Sequence, residues 1–488
     1  MKCLFKLSST WFPIWCILLL MLVMVGVYIP VFGGANQNLT DVPLIIVNED
    51  KGKAGDAILL NLIETQNGNS FKWDVVKTKE KALSDLKNNK AYGALVIPAD
   101  YSKQLFQVHD LLISGNGFGK PAKLDILLNE GVGQSASLIA SNTLQTVAEA
   151  TLNGISSHFK SELIQKGITL SPMNASLLDR PVQFTTKNVL GLPVNLNKGM
   201  TPFVMSIIAS ITGMVGANMI RGYLVKSNGI LRKKGYPLPE SQILKSALLL
   251  AILLAFCGSV ILQISVFGFF GSAHASSIWY IFLFSLFCSL TMLFLFQAVA
   301  LLFGGWGILV MFPINFMGIF SSGGAIPLST LPPVHRLFSF ILPTRYMVDG
   351  MRALLYYQGR MEAGLREALG ALSIYFVVSL AIIIAFISIE QKREKQHVAV
   401  NKAEKVGIQV DNEFHYMQSA EQGKPQPSQR VKQAAKNTTK NDAYFRQALG
   451  KLAEGKEEDS HYPKKILETM NDEDFRNALK SIRDKDKK

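Results

Sequence analysis

The sequence predicts a polytopic α-helical membrane protein of about six spans, with an α/β extracytoplasmic domain between spans 1 and 2. Three observations predict this fold class: long apolar segments without charge, basic clusters at their ends, and a stretch in which strand and helix patterns alternate. A mean hydropathy of +0.23 with only 18% charged residues is also unusual for a soluble protein.

The predicted organisation has four parts. They are an N-terminal anchor span (1–33), an extracytoplasmic α/β domain (34–200), a five-span membrane bundle (201–390) and a charged, partly disordered cytoplasmic tail (391–488). Within the bundle, residues 323–368 are expected to form a re-entrant or extracytoplasmic loop. The alternation of spans places both termini in the cytoplasm and makes the protein a multi-pass protein of the cell membrane.

The anchor span is predicted over residues 11–32, which carry no charge and follow Lys2 and Lys6. A membrane helix needs about 20 apolar residues, and this segment is long enough. The alternative is a cleaved signal peptide, because the small residues Gly33, Gly34 and Ala35 would suit a cleavage site. The apolar part of a signal peptide is only about 7–15 residues long, which favours an uncleaved anchor.

The α/β domain is predicted from alternating patterns. Strand patterns occur in VPLIIVNED, KWDVVKT, AYGALVIPA and AKLDILLNE, and helix patterns occur at 54–66, 79–90, 100–114 and 134–166. Such alternation favours helices packed on a parallel or mixed sheet. The domain contains no GxGxxG or Walker pattern and no cysteine, so neither a nucleotide site nor a disulfide framework is expected.

The remaining spans are predicted at 201–220, 246–271 and 369–389, with two more inside the uncharged run 278–320. That run is too long for one membrane helix, and its break is expected at residues 304–307 (GGWG), where glycine allows a reversal. The basic segment 226–245 and the EQKREK sequence after the last span mark the cytoplasmic side.

The central parts of the spans contain no Asp, Glu, Lys or Arg, which disfavours a carrier coupled to protons or sodium ions. The polar residues that interrupt them are Asn218, Gln263, Gln297 and Asn315. We expect hydrogen bonds between helices from these residues rather than substrate contacts.

The loop at 323–368 departs from the positive-inside pattern because it is rich in arginine. Gly323 and Gly324 break the preceding helix, and Pro343 is placed to begin a short one. Asp349 and Arg352 are spaced i, i+3 and can pair on one helix face. Packing at the outer end of the bundle and a gating role both explain these residues.

A family resemblance follows from these motifs. A span, a Gly/Pro break and a proline-led helix containing arginine resemble the last membrane hairpin of ABC type 2 exporter permeases. The segments VPLIIVNEDKG, GALVIPADYSKQL and LPVNLNKGMTPFVMS are similar to landmarks of the phage-infection-protein (YhgE/Pip) group and the related nitrosoguanidine-resistance proteins. The resemblance covers residues 10–390 and leaves the tail outside.

The resemblance implies a permease subunit that forms a homodimer and draws its energy from a separate ABC-type ATPase. The segment after the second span would then be the coupling loop, with Arg221, Lys226, Arg232, Lys233, Lys234 and Pro237 as its residues. Cytoplasmic retention explains the same charges without a partner.

The predicted function is export of a hydrophobic or amphipathic compound by a permease surrounded by membrane lipid. The alternative is a cell-surface receptor or secretion-machinery scaffold, resembling a phage receptor, with the bundle as its anchor. No cofactor, metal or nucleic-acid site is expected, although the net charge is +14. The histidines lie far apart without a nucleophile motif, so no enzyme is expected. In the tail, 441–449 and 471–479 share the pattern N-D-x-x-F-R-x-A-L and predict two short amphipathic helices.

Overall fold

The computed structural model describes residues 41–64, 70–114, 119–191, 199–236 and 238–421, with isolated residues between 18 and 39. The chain divides into two compact units, 1–391 and 392–488. The predicted anchor at 11–32 lies largely outside the described residues, and so do the two repeated motifs of the tail. The first unit contains a mixed sheet and a bundle of long apolar helices.

The sheet has five strands in the order β2-β1-β3-β4-β5. The strands are β1 (Val42–Asn48), β2 (Phe71–Val76), β3 (Gly93–Ile97), β4 (Ala122–Leu128) and β5 (Val182–Asn188). All neighbouring strands are parallel except β3 and β4, which are antiparallel. In the central strand β1, Ile46 lies beside Val75 of β2 and Leu95 of β3. The predicted mixed sheet is present. The sequence patterns missed β5, because VQFTTKN is largely polar.

Five helices belong to the sheet region: α1 (Lys53–Glu64), α2 (Lys79–Lys87), α3 (Tyr101–Ser114), α4 (Gln134–Gln165) and α5 (Pro172–Asp179). The first four were predicted, with ends that agree within three residues. Leu44, Leu95 and Leu144 belong to one fully buried cluster that joins the strands to α4.

The loop between β1 and α1 is fixed by one buried carboxylate. Asp50 accepts hydrogen bonds from the backbone N–H of Gly55 at 3.1 Å and of Ser102 at 3.3 Å, and from the Ser102 hydroxyl. It therefore satisfies donors at the starts of α1 and α3 together, where negative charge is also favoured by the helix dipoles. A side chain at Gly52 would lie 2.2 Å from the Ser102 oxygen, which explains the glycine.

The bundle is built from α6 (Thr201–Lys233), α7 (Glu240–Gln263) with a π-helical end at Ile264–Phe269, α8 (Ile278–Phe303), α9 (Gly307–Phe320) and α12 (Leu365–Glu421). Within the described residues, four segments are long and apolar enough to cross a membrane: Thr201–Lys233, Glu240–Phe269, Ile278–Phe320 and Leu365–Gln396. Two shorter helices, α10 (Pro333–Ile341) and α11 (Pro343–Tyr356), lie between α9 and α12. The predicted proline start of α11 is confirmed.

The predicted break in the run 278–320 is also confirmed. α8 ends at Phe303, and Gly304 adopts a φ of 56° before a 3₁₀ turn leads into α9. Only glycine takes such a positive φ without strain. α9 has 14 residues, fewer than the roughly 20 that a full span needs.

Two helices extend beyond the predicted spans. α6 continues to Lys233, so most of the basic segment after residue 220 is helical rather than loop. α12 continues past the predicted span 369–389 to Glu421. Apolar periodicity marks the part of a helix that is buried in lipid or protein, and it does not register polar extensions.

Helices α6 and α8 cross closely in the middle of the bundle. A side chain at Gly213 would lie 2.7 Å from the Met292 Cβ and 3.0 Å from its backbone carbon. Small residues at such crossings allow the backbones to approach, which is the main source of packing energy between membrane helices.

Gly213→Val is expected to lower the free energy of unfolding by about 1–3 kcal/mol, because the new side chain must enter a filled helix crossing. Gly222→Val on the same helix is the matched control, since no atom lies within 4 Å of that Cβ position. Denaturant titration of the protein in detergent micelles measures both. An equal loss in the two variants would contradict the importance of the crossing.

Candidate functional site

The predicted pair on α11 is formed. The Arg352 Nη1 donates to Asp349 Oδ1 at 3.2 Å, and its Nη2 donates to the Gly323 carbonyl at 3.2 Å. Arg345 Nε lies 3.5 Å from the other carboxylate oxygen. Arg352 is only 6% exposed, so its positive charge is compensated by Asp349 inside the protein rather than by solvent. Burial raises the pKa of the Asp349 carboxyl, and the two guanidinium groups oppose that rise.

The two glycines that precede α11 are needed for different reasons. Gly323 has a φ of 73°, which favours glycine. A side chain at Gly324 would lie 2.2 Å from the Phe203 ring at the start of α6. The turn at 321–327 therefore lies directly on α6, and Arg352 holds it there through the Gly323 carbonyl.

The excess of arginine at 323–368 has a structural explanation. Arg336 donates to the carbonyls of Ser329 and Leu331 at 3.2 and 3.4 Å. Arg360 donates to the Asn88 side chain at 3.1 Å. Because a folded segment can fix arginines through specific contacts, their number does not report the side of the membrane as it does in a flexible loop.

A second polar contact joins α11 to the sheet region. The Tyr357 hydroxyl donates to Asn129 Oδ1 at 2.9 Å, and Asn129 donates to the carbonyls of Leu86 and Ala91 at 2.9 and 3.2 Å. Asn129 is fully buried. Burial also raises the pKa of the Tyr357 phenol, so the hydroxyl stays protonated and can donate. Sequence reasoning missed this contact because 228 positions separate the two residues.

The four polar residues of the spans have different surroundings. Gln297 donates to the Ala247 carbonyl of α7 at 3.1 Å, and Asn315 accepts from the Ser210 hydroxyl of α6. Gln263 is buried, and its amide has no hydrogen-bond partner in the described part of the chain. Asn218 is exposed on the surface of α6. The structure thus brings two of the four into contacts between helices.

The basic turn, residues 226–245, lies at the other end of α6. Lys226, Arg232 and Lys233 belong to α6 itself and are exposed, and Lys234 follows in the turn before α7. Asn228 closes the turn: its Nδ2 donates to the Leu238 carbonyl at 3.1 Å, and Leu238 N–H donates back to its Oδ1 at 2.8 Å. Pro237 lies outside the described residues.

Arg221 lies apart from the tip of the basic turn. Its Nη1 donates to the Ala300 carbonyl near the end of α8. A cation is favoured at a helix C-terminus, where it complements the helix dipole. This contact ties α6 to α8 a little beyond their crossing at Gly213.

These features define a class of protein. The described chain has apolar helices long enough to cross a membrane, an α/β region that precedes them and a basic connection between two of them. These are the features of a multi-pass membrane protein with a large domain outside the bundle.

The particular family follows from comparison with known proteins. Residues 11–385 match the family described as "ABC-2 family transporter protein". The chain belongs to this ABC-2 transporter family, which confirms the resemblance drawn from its motifs. Members are membrane transport permeases rather than classical enzymes.

The chain is also similar to the Bacillus subtilis (strain 168) protein called "Uncharacterized protein YhgE". The two are 28% identical over 128 residues, which are 25% of this chain and 16% of that protein. The similarity therefore spans a small fraction of the relative's length.

Asp349→Asn is expected to lower the free energy of unfolding by about 1.5–3 kcal/mol, because it removes the counter-charge of two guanidinium groups. Glu149→Gln, an exposed acid on α4, should change it by less than about 0.5 kcal/mol. Thermal unfolding in detergent, converted with the measured enthalpy, compares the two. A neutral result for Asp349→Asn would contradict the structural importance of the pair.

Tyr357→Phe is expected to cost about 1–3 kcal/mol, since it leaves the buried Asn129 carbonyl without its donor. Tyr346→Phe is the matched control, because the Tyr346 hydroxyl donates to the Phe340 carbonyl in an exposed position. Hydrogen exchange read by mass spectrometry should show faster exchange at 86–91 and 129 only in the first variant. Unchanged exchange at these positions would contradict the structural importance of the Tyr357–Asn129 hydrogen bond.

Proposed function

We propose that the protein is an exporter-type permease that moves a hydrophobic or amphipathic compound outward across the cell membrane. A separate ABC-type ATPase that docks on the basic turn would supply the energy. The observation that carries this proposal is the basic turn itself, an exposed and internally stiffened surface on a chain of the ABC-2 family.

The composition of the basic turn suits a protein partner. Exposed apolar side chains stand among its cations: Tyr236 is 75% exposed and Ile230 is 51% exposed. A surface that mixes aromatic and aliphatic groups with positive charge is typical of a protein interface, with charge aiding orientation. Cytoplasmic retention and the dipole at the end of α6 would both explain the cations. Neither would explain the exposed apolar side chains.

The orientation of the bundle follows from the same surface. α6 has 33 residues and is therefore about 50 Å long, which exceeds the roughly 30 Å of a membrane core. Its first residues adjoin the turn at 321–327, and its last residues form the basic turn. If the basic turn is cytoplasmic, the sheet region is extracytoplasmic. Six spans with both termini inside satisfy this orientation when 11–32 crosses once and 278–320 crosses twice, the second time through the 14-residue α9 together with the segment that follows it.

A homodimer is supported by an apolar stripe on α6 that the other described residues leave exposed. Val204, Ile208, Ile211 and Val215 are exposed at helical spacing, and Asn218 continues the line. An exposed amide in a membrane span is costly in lipid, and the same residue of a second copy could satisfy it. Lipid would cover the remaining apolar surfaces. The proposal needs no cofactor, no nucleic acid and no covalent step by the permease.

The coupling role is tested by changing Arg232, Lys233 and Lys234 together to Ala. An ABC-type ATPase should copurify with the tagged wild-type protein in comparable amount, and the triple variant should recover about tenfold less, because several charge pairs of modest energy are lost together. Outward movement of a lipophilic dye should fall in parallel. The matched control changes Lys72, Lys77 and Lys103, three exposed cations of the sheet region, to Ala.

A further variant separates stiffness from charge. Asn228→Ala keeps every cation but removes both hydrogen bonds that close the turn. It should also reduce ATPase recovery, by about threefold, whereas full recovery with both variants would rule out the basic turn as the docking surface.

The second candidate function is a receptor or scaffold, favoured by exposed apolar residues on the sheet region. Leu60 and Ile63 of α1 and Phe106 of α3 face solvent on two helices that pack together. Purification that recovers envelope or secretion components without any ATPase would favour this alternative.

A further inference from the structure

A cavity of about 590 Å³ lies between the beginning of α8, the end of α11 and the beginning of α12. This volume falls within the range of about 300–1,000 Å³ that is usual for small-molecule sites. Its walls are mostly apolar, with Leu283, Phe284 and Phe287 on one side and Leu354, Leu365 and Leu369 on the other.

The cavity is built by fixed backbone contacts. The segment that precedes α8 is held to α11 by a hydrogen bond from Ala275 N–H to the Leu355 carbonyl at 2.7 Å. Gly359 N–H donates to the Ala353 carbonyl at 2.9 Å and folds the chain back after α11. Phe284 packs directly on Gly350, where any side chain would lie 2.2 Å from its ring. The walls are therefore set by α11 and do not depend on one flexible loop.

The cavity lies beside the first residues of two helices that are long and apolar enough to cross a membrane. These helices begin at Ile278 and Leu365. Trp279 is 73% exposed and Tyr280 is 65% exposed at the start of the first of them. Trp and Tyr are enriched at membrane interfaces, so the rim can receive a chain directly from the lipid phase.

One end of the cavity is polar but uncharged. Ser276 lines it, and its buried hydroxyl has no hydrogen-bond partner among the described residues. Gln358 lines the same end with a φ of 55°, an unusual conformation for a residue other than glycine and one that is often found at functional sites.

Two charged side chains close to this polar end, Arg360 and Glu362, already have hydrogen-bond partners. Arg360 donates to Asn88 Oδ1 at 3.1 Å, and Asn88 Nδ2 donates to Glu362 at 3.0 Å. The groups that remain for a ligand are hydroxyl and amide groups, which suit an uncharged head.

We propose that this cavity binds one alkyl chain of an amphiphile with an uncharged, hydrogen-bonding head. The chain lies against the leucine and phenylalanine walls, and the head meets Ser276 and Gln358. The assignment rests on the proposed export function, because it names the class of compound that the permease would take from the membrane. A phospholipid chain that fills the space without selection is the competing occupant.

The test uses the full-length protein in lipid nanodiscs, without ATP or an ATPase. The probe is a monoacylglycerol with a diazirine in its chain, and mass spectrometry locates the photolabelled peptides. Label is expected in 276–287 and 354–369. Leu369→Trp, which fills the cavity, should reduce it at least fivefold, while Ile374→Trp, on the exposed side of the same helix, should not.

The polar end is tested separately. Ser276→Ala should reduce labelling by the monoacylglycerol about threefold. A diazirine fatty acid and an alkylammonium of the same chain length should label the cavity several-fold less than the uncharged probe. Equal labelling by all three probes would overturn the assignment of an uncharged head.

The outcomes also separate the cavity from the export function. Labelling that Leu369→Trp leaves unchanged would overturn the cavity assignment, and Leu283→Trp at the exposed rim repeats the test if the first variant does not remain monodisperse. Selective labelling together with no ATPase recovery would reject the export function but keep the site. ATPase recovery together with unselective labelling would keep the export function but reject the site.

Discussion

The Arg352 guanidinium is the contact on which the arrangement of this protein depends. A buried cation must be paired and hydrogen-bonded, since an uncompensated charge in a low-dielectric interior is strongly destabilising. Arg352 meets that requirement with Asp349 on its own helix and with the Gly323 carbonyl of the preceding turn. The turn thereby lies against Phe203 in the first turn of α6. Ser135, at the start of α4, donates to the Ala325 carbonyl of the same turn at 2.8 Å and brings the sheet region to this point.

Helix α11 therefore serves three neighbours at once. Its Arg352 holds the turn, and its Gly350 packs against Phe284 of α8. Tyr357, the residue directly after the helix, donates a hydrogen bond to Asn129 of the sheet region. The cavity beside Leu354 lies between the end of α11 and the beginnings of α8 and α12. The proposed binding site thus lies at the end of the bundle next to the sheet region, and the proposed site of energy input lies at the opposite end of α6.

Much of the local structure could be predicted from the sequence. Short apolar strand patterns and helical patterns located four of the five strands and four of the five helices described in the sheet region. The GGWG break in 278–320 and the proline start of α11 followed from backbone chemistry that acts over a few residues. Spacing also predicted the Asp349–Arg352 pair, because i, i+3 neighbours meet on any helix. The polar strand β5 and the helical extension of α6 were missed, since neither carries an apolar pattern.

The sequence by itself determined that this chain is a membrane protein with an α/β region and that it has the motifs of its family. Those properties depend on apolar length, alternation and charge, which are local. Only the tertiary structure decided the strand order, the contact of Tyr357 with Asn129, the closure of the basic turn by Asn228 and the cavity at Ser276. Each of these requires groups distant in sequence to meet, and such meetings follow from how complete elements pack rather than from the pattern of any one segment.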